Sequence, residues 1–172
     1  MAAHGLVAYA TKMGSTKEVA EAVADALRDA GLEVEFAPLR EVRTLEGLGL
    51  VVIGAPLYMF RWHKEARAFL ARFRQVLPGL PAAVFALGPF EDTEKDWKSV
   101  RENFDKELAR FPLFSPAVRE VFGGAFDPAK LSFPFTLIPA MKKLPVSDIR
   151  DWDAIRTWAR GLAGMARASR KG

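Results

Sequence analysis

The chain has no cysteine and only two histidines, His4 and His63. Disulfides, thiolate nucleophiles and iron–sulfur ligation are therefore excluded, and a histidine-based metal site has too few ligands. No apolar run reaches the roughly 18 residues a membrane helix needs, and the N-terminus lacks a signal-peptide layout. The expected location is cytoplasmic. Strong charge of one sign is also missing: the net charge is +4 and the pI about 9.5. The basic residues are spread out, apart from Arg167, Arg170 and Lys171 at the end. No basic stripe with interleaved aromatics is present, so nucleic acid is not an expected partner. Two glycine signatures are absent as well. There is no G-x-x-x-x-G-K-[ST] loop and no G-x-G-x-x-G fingerprint. The 172 residues are half hydrophobic and 27% charged, the profile of a globular protein with a proper core. No linker, repeat or low-complexity stretch interrupts them, and one domain over residues 1–172 is expected.

What is present begins at His4–Thr16, HGLVAYATKMGST. A short apolar strand, Leu6 to Ala10, runs into Thr11-Lys12-Met13-Gly14-Ser15-Thr16, and a helical apolar stripe starts at Val19. Strand, hydroxyl-rich loop with one glycine, then helix is the layout of a phosphate-binding βα turn. Backbone N–H groups at a helix N-terminus converge on one spot, and the helix dipole favours an anion there. Thr11, Ser15 and Thr16 add hydroxyls, and Gly14 permits close approach or positive φ. The alternative is a plain N-cap, with Ser15 or Thr16 capping the helix.

The rest of the chain alternates. Val19, Val23, Ala26, Leu27 and Ala30 mark a helix stopped at Gly31. Leu32–Phe36 alternates apolar and charged, an edge strand. Val42–Glu46 suggests a short helical turn. Gly49–Gly54 is an unbroken apolar run, hence a central strand. A helix is expected from about His63 to Gln75, a buried strand over Leu80–Leu87, and a helix over Glu94–Arg110 with Trp97, Val100, Phe104, Leu108 and Phe111 on one face. Ala117–Phe122 carries Arg119 and Glu120, a second edge strand. Asp127 and Pro128 start helical structure, Phe133–Leu144 reads as irregular or broken helix, and Asp151 caps a last helix with Trp152, Ile155, Trp158, Ala159, Leu162 and Met165 inward. This βα alternation implies a five-stranded parallel sheet, order 2-1-3-4-5, with helices on both faces. In such sheets ligands bind beyond the carboxyl ends of the strands, where the order reverses, here between the first and third strands.

The loop after the third strand is the most informative. Pro56, Leu57, Tyr58, Met59, Phe60 and Trp62 place aromatic and apolar groups where polar ones are usual. They suit the flat face of an isoalloxazine ring, or alternatively they pack on neighbouring helices. Gly88, Pro89 and Phe90 leave the fourth strand and are candidates for the ring's pyrimidine edge, or form an ordinary turn. Arg61 and His63 stand near the ring position or simply at the entry of the next helix. Phe133–Leu144, apolar with Lys142 and Lys143 at its end, is a candidate for peripheral membrane or quinone contact, or a packed covering segment. No acid/base pair or triad is evident.

The loop Thr11–Thr16 resembles the flavodoxin phosphate loop [ST]-x-T-G-x-T, departing at Met13. With VVIGAPLYMFRWHKEARAFL, FALGPF, FGGAFDPAKL and DIRDWDAIRTWARGL, nearly the whole chain resembles flavodoxin-domain proteins related to menaquinone-dependent protoporphyrinogen oxidase. Phe90–Pro116 matches that pattern least. The resemblance implies a flavodoxin-like three-layer sandwich binding FMN. Thr11, Lys12, Met13, Gly14, Ser15 and Thr16 would hold its phosphate. Pro56, Leu57, Tyr58, Met59, Phe60 and Trp62 would line the ring, and Gly88, Pro89 and Phe90 would close its far edge. It implies an oxidoreductase exchanging electrons with a quinone or porphyrinogen-like molecule. A one-electron flavodoxin carrier and a flavin-free binding or scaffold protein are the alternatives; the basic charge weakens the carrier reading, since carriers of this type are acidic.

Overall fold

The computed structural model describes residues 2–131 and 135–169. In chain order the strands are β1 (His4–Tyr9), β2 (Glu33–Pro38), β3 (Leu50–Tyr58), β4 (Arg61–Trp62), β5 (Ala82–Leu87), β6 (Val118–Phe122), β7 (Ala125–Phe126) and β8 (Ser147–Asp148). The helices are α1 (Ser15–Asp29), α2 (Lys64–Arg72), α3 (Glu94–Ala109), α4 (Pro139–Lys142) and α5 (Trp152–Ser169). The main sheet runs β2-β1-β3-β5-β6, every pair parallel. This is the predicted 2-1-3-4-5 order, with β4 added as a two-residue antiparallel strand on β3.

The inner strands are apolar on both sides because both sides are covered. Leu6, Val51, Ile53 and Val84 meet Phe69 and Leu70 of α2 and Phe104 and Leu108 of α3. Val7, Val52 and Phe85 meet Val19, Val23 and Leu27 of α1 and Ile155, Ala159 and Leu162 of α5 on the other face. The charged strands β2 and β6 take the edges, where one side of the ladder is open. Gly54 is a packing requirement: a Cβ there would run into the Phe85 ring.

The connection from β2 to β3 differs from expectation. The predicted helical turn at Val42–Glu46 is irregular, and a single 3-10 turn lies upstream at Leu39–Glu41. Leu39, Val42, Leu45 and Leu48 are all buried, one residue in three turned inward. They join the cluster under α2, so an extended segment covers the sheet there without a helix.

After β6 the chain makes an excursion. β7 and β8 pair antiparallel and close it at its base. Between them lie a 3-10 turn at Pro128–Lys130, capped by Asp127 as expected (Ala129 N–H to Asp127 Oδ1, 2.9 Å), a second at Phe135–Leu137, and α4. This agrees with broken helix; Phe133 itself, with Arg170 and Lys171 of the basic tail, lies outside the described residues. Arg150 ties the base of the excursion to α1. Its guanidinium donates to both Asp148 oxygens, at 2.9 and 2.7 Å, and to Glu18 Oε2 at 2.9 Å. It also reaches the Ser15 carbonyl at 3.3 Å. Asp151 caps α5 through the Ala154 N–H at 3.0 Å. Among the described residues, no helix is long and apolar enough to cross a membrane.

Candidate functional site

The β1–α1 turn leaves its helix start open. The N-cap is Gly14, at φ 87° and ψ −15°, and no side chain caps the helix. The N-cap alternative for Ser15 or Thr16 is thereby corrected: both lie inside the first turn, where a side chain cannot fold back on N2 or N3. The Gly14 N–H donates to Thr11 Oγ1 at 2.9 Å, a bond that sets the loop's curvature. Left-handed Gly14 turns the chain so that the next amides enter the helix in register. Thr16 is 1% exposed, and its hydroxyl is buried with no hydrogen-bond partner among the described residues. A buried hydroxyl without a partner costs on the order of 1–3 kcal/mol. Together with uncapped first-turn N–H groups, it fits an anion at this helix start.

Lys12 of the same loop stands over the Tyr58 ring, its ammonium 5.1 Å from the centroid. Partial burial, then the charge of Lys64, lowers the Lys12 pKa. Burial pushes the Tyr58 phenol up to about 12, so Tyr58 is a neutral hydrogen-bonding group at neutral pH.

The second loop is a tight hairpin. β3 runs four residues past Gly54 to Tyr58, turns at Met59 and Phe60, and returns as β4. Leu57 pairs with Trp62 and Tyr58 with Arg61. Both turn residues have positive φ, 46° for Met59 and 67° for Phe60. A two-residue hairpin of this hand normally takes Asn-Gly or Gly-Gly. Two bulky side chains there are strained by roughly 1 kcal/mol or more each. They are also exposed, 83% and 69%, so no core packing explains them.

Leu57, Tyr58, Met59 and Phe60 line a pocket of about 560 Å³ together with Lys12 and Met13. Gly88, Pro89 and Phe90 line it too. The Gly88 N–H donates to the Phe122 carbonyl and the Pro89 carbonyl accepts from Gly124 N–H, so those two backbone groups serve β6 and its exit. The Gly88–Pro89 peptide is cis. The volume lies within the range of small-molecule and cofactor sites, and the lining is mostly apolar.

Two expected ring-lining residues are elsewhere. Trp62 is 1% exposed, packed edge-on against Phe104 with its Nε1–H donating to the Ala55 carbonyl at 3.0 Å. Pro56 is buried within β3, outside the pocket lining. The hairpin separates the aromatics by position: Trp62, paired with Leu57, turns into the core against Phe104, whereas Met59 and Phe60 at the turn stay exposed. Arg61 is ion-paired with Glu107 at 3.7 Å. His63 caps α2, its Nδ1 accepting from Glu65 N–H at 3.1 Å. Burial is the main cause that lowers the His63 pKa, which keeps that nitrogen an acceptor.

Two walls of the pocket lie outside the expected ring-lining residues. α3 contributes Asp96, Ser99, Val100 and Asn103; the excursion contributes Phe126, Leu131, Met141, Leu144, Pro145 and Ser147. Val100 stood on the predicted apolar face of α3, which was a usable signal. In the excursion, Met141 and Leu144 belong to the Phe133–Leu144 stretch expected to contact a quinone or membrane or to pack as a cover.

The doubly wound parallel sheet defines the class of α/β fold, and the uncapped turn after β1 and the apolar pocket both lie where the strand order reverses, the place at which sheets of this topology take ligands. The chain belongs to the flavodoxin-domain family: a family model described as "Flavodoxin domain" matches residues 6–140. No curated protein matches the sequence. Among solved structures, a flavodoxin from the domain Archaea aligns with TM-score 0.58 and 13% identity over 95% of this chain and 99% of its own. A flavodoxin from Streptococcus pneumoniae TIGR4 gives TM-score 0.60, 18% identity, and 96% and 99% coverage. Rubredoxin oxygen:oxidoreductase from the anaerobe Desulfovibrio gigas gives TM-score 0.62 and 17% identity over 98% of this chain but 37% of its own. At these identities the likeness speaks to the fold.

Proposed function

We propose that the chain is an FMN-binding oxidoreductase exchanging electrons with a quinone or porphyrinogen-like ring. The observation that carries the cofactor assignment is the buried, partnerless Thr16 hydroxyl at an uncapped helix start, in the same loop as Lys12 and Met13 of the apolar pocket. Thr11, Gly14, Ser15 and Thr16 would hold the phosphate. Leu57, Tyr58, Met59 and Phe60 would lie against one side of the ring, and Gly88, Pro89 and Phe90 would bound it. When bound, FMN supplies the redox chemistry itself. The chain's part is to bind, orient and exclude water. The exposed Met59 and Phe60 side chains gain a flat apolar surface to cover, and the neutral Tyr58 phenol offers a hydrogen bond without an added charge. Lys12 places positive charge beside this pocket, which favours an anionic ligand. The excursion adds a wall of Leu131, Met141 and Leu144 to the same pocket, apolar surface suited to a second ring.

The family membership also supports a second reading, a one-electron carrier. The two separate in one assay series. FMN-loaded protein is reduced chemically, then mixed with a water-soluble quinone or with a porphyrinogen. Catalytic turnover supports the oxidoreductase. Stoichiometric electron transfer to a redox protein, without turnover of either small molecule, favours the carrier.

A further inference from the structure

Glu107 is a buried carboxylate that the proposed reaction does not use. It is 3% exposed and lies on the apolar face of α3, between Phe104 and Leu108. Its Oε2 accepts from the Trp62 backbone N–H at 3.2 Å. Arg110 at 3.2 Å, Arg61 at 3.7 Å and Arg67 at 3.9 Å surround it. Arg67 in turn donates its Nε–H to the Trp62 carbonyl at 3.1 Å.

These contacts fall on one place. β4 has a single strand neighbour, β3, and Trp62 is in its second and last pair. In a two-residue hairpin, the pair beyond the closing one directs its N–H and C=O away from the partner strand. Those outward groups are the two that Glu107 and Arg67 take. A carboxylate from α3 and a guanidinium from α2 thus stand where the next strand would be. They fix the backbone two residues beyond a turn whose residues would relax out of positive φ if released. A buried ion pair is weak support for stability, because desolvation offsets the attraction; holding one geometry against alternatives is its better-attested use.

We propose that Glu107, with Arg67, is a positioning residue that holds the Met59–Phe60 turn in its left-handed form against the pocket. What the turn faces rests on the FMN reading; that the turn is held does not. The test therefore starts with hydrogen exchange on the flavin-free protein, comparing wild type with Glu107→Gln, Glu107→Ala and Arg67→Lys. Gln keeps an oxygen for the Trp62 N–H but drops the charge; Lys keeps the charge but loses the fixed Nε–H. The expected result is exchange in the 57–63 peptide about tenfold faster in Glu107→Ala, the scale of one lost supporting hydrogen bond. Glu107→Gln and Arg67→Lys fall between it and wild type, with β1 and β5 peptides unchanged. Unchanged exchange at 57–63, or equal loosening of every peptide, overturns the proposal. Flavin binding is the second readout. In Glu107→Ala the Kd for FMN and for riboflavin should rise by the same factor, because the change is at the ring side. A wild type that binds neither flavin sinks the FMN reading and leaves the exchange result to decide the positioning role.

Discussion

At one end of the proposed site, six consecutive residues, Thr11–Thr16, make the whole of the turn proposed to hold the phosphate, and the backbone does most of it. At the other end, the pocket is assembled from β3, the loop after β5, α3 and the excursion closed by β7 and β8. The first end stores little strain: its one left-handed residue is glycine, with open space where a Cβ would stand. The second holds two bulky residues at positive φ and is proposed to steady them through Trp62, whose N–H donates to a carboxylate 45 residues further along the chain. A phosphate has the same shape wherever it is bound, and a helix start suits it without long-range help. A ring face with one acceptor geometry needs side chains placed from several elements.

The largest effect should come from Gly14→Val. The Cβ meets nothing within 4 Å, so the cost to the fold is backbone alone, about 1–2 kcal/mol. The cost to FMN binding should be roughly hundredfold, since the amides that face the phosphate move. Calorimetric melting and flavin fluorescence quenching read the two separately.

Thr16→Val sharpens the contrast by sign. Removing a buried hydroxyl without a partner should raise the stability of the flavin-free protein by about 1 kcal/mol. It should weaken FMN by roughly tenfold and leave riboflavin unchanged. A variant that is both less stable and equally avid for FMN would break the anion assignment.

At the ring end, the double change Met59→Asn with Phe60→Gly gives the turn its preferred residues. Stability should rise by about 1 kcal/mol net, because both side chains are exposed, their strain is removed, and the unfolded-state entropy of the new glycine takes back part of the gain. FMN and riboflavin should weaken alike, by a few-fold, as one apolar face is lost. Denaturant unfolding and paired titrations check it.

The smallest effect is a pH dependence at His63. Its folded pKa is lowered, so the unfolded chain takes up the proton first as pH falls. The stability it contributes is present above about 6.5, the unfolded value, and declines as pH drops through the lowered folded value. Protonation also removes the acceptor that caps α2. Melting temperature should fall shallowly from pH 7 to 5, and His63→Asn, which caps without titrating, should flatten that slope.

Much of the sheet was legible because both of its faces are buried. Unbroken apolar runs at Leu6–Ala10, Gly49–Gly54 and Leu80–Leu87 have few other uses in a chain of this kind. The strand–loop–helix layout of the β1–α1 turn was legible because its parts are contiguous. The β2–β3 connection was not, since Leu39, Val42, Leu45 and Leu48 bury an extended segment at a spacing shared with helical turns. Trp62 was misplaced because an aromatic in a loop looks exposed until its N–H finds a buried carbonyl, here that of Ala55. The Met59–Phe60 turn carries none of the residues that announce a hairpin. Glu107 left a trace: a carboxylate three residues after Phe104 sits on the helix face that should be apolar, and such a residue asks for buried partners. Asp148, two residues before Arg150, is a local partner, but the tie of Arg150 to α1 left no trace, because Glu18 and Ser15 lie more than 130 positions away.

Everything proposed for the cofactor depends on the β1–α1 turn holding a phosphate. The most direct measurement is the pair of dissociation constants of wild-type protein for FMN and for riboflavin, which differ only in the phosphate, by fluorescence quenching in one buffer. FMN should bind tighter by roughly hundredfold, the worth of two charge-assisted hydrogen bonds. Equal affinities, or no binding of either, would contradict it.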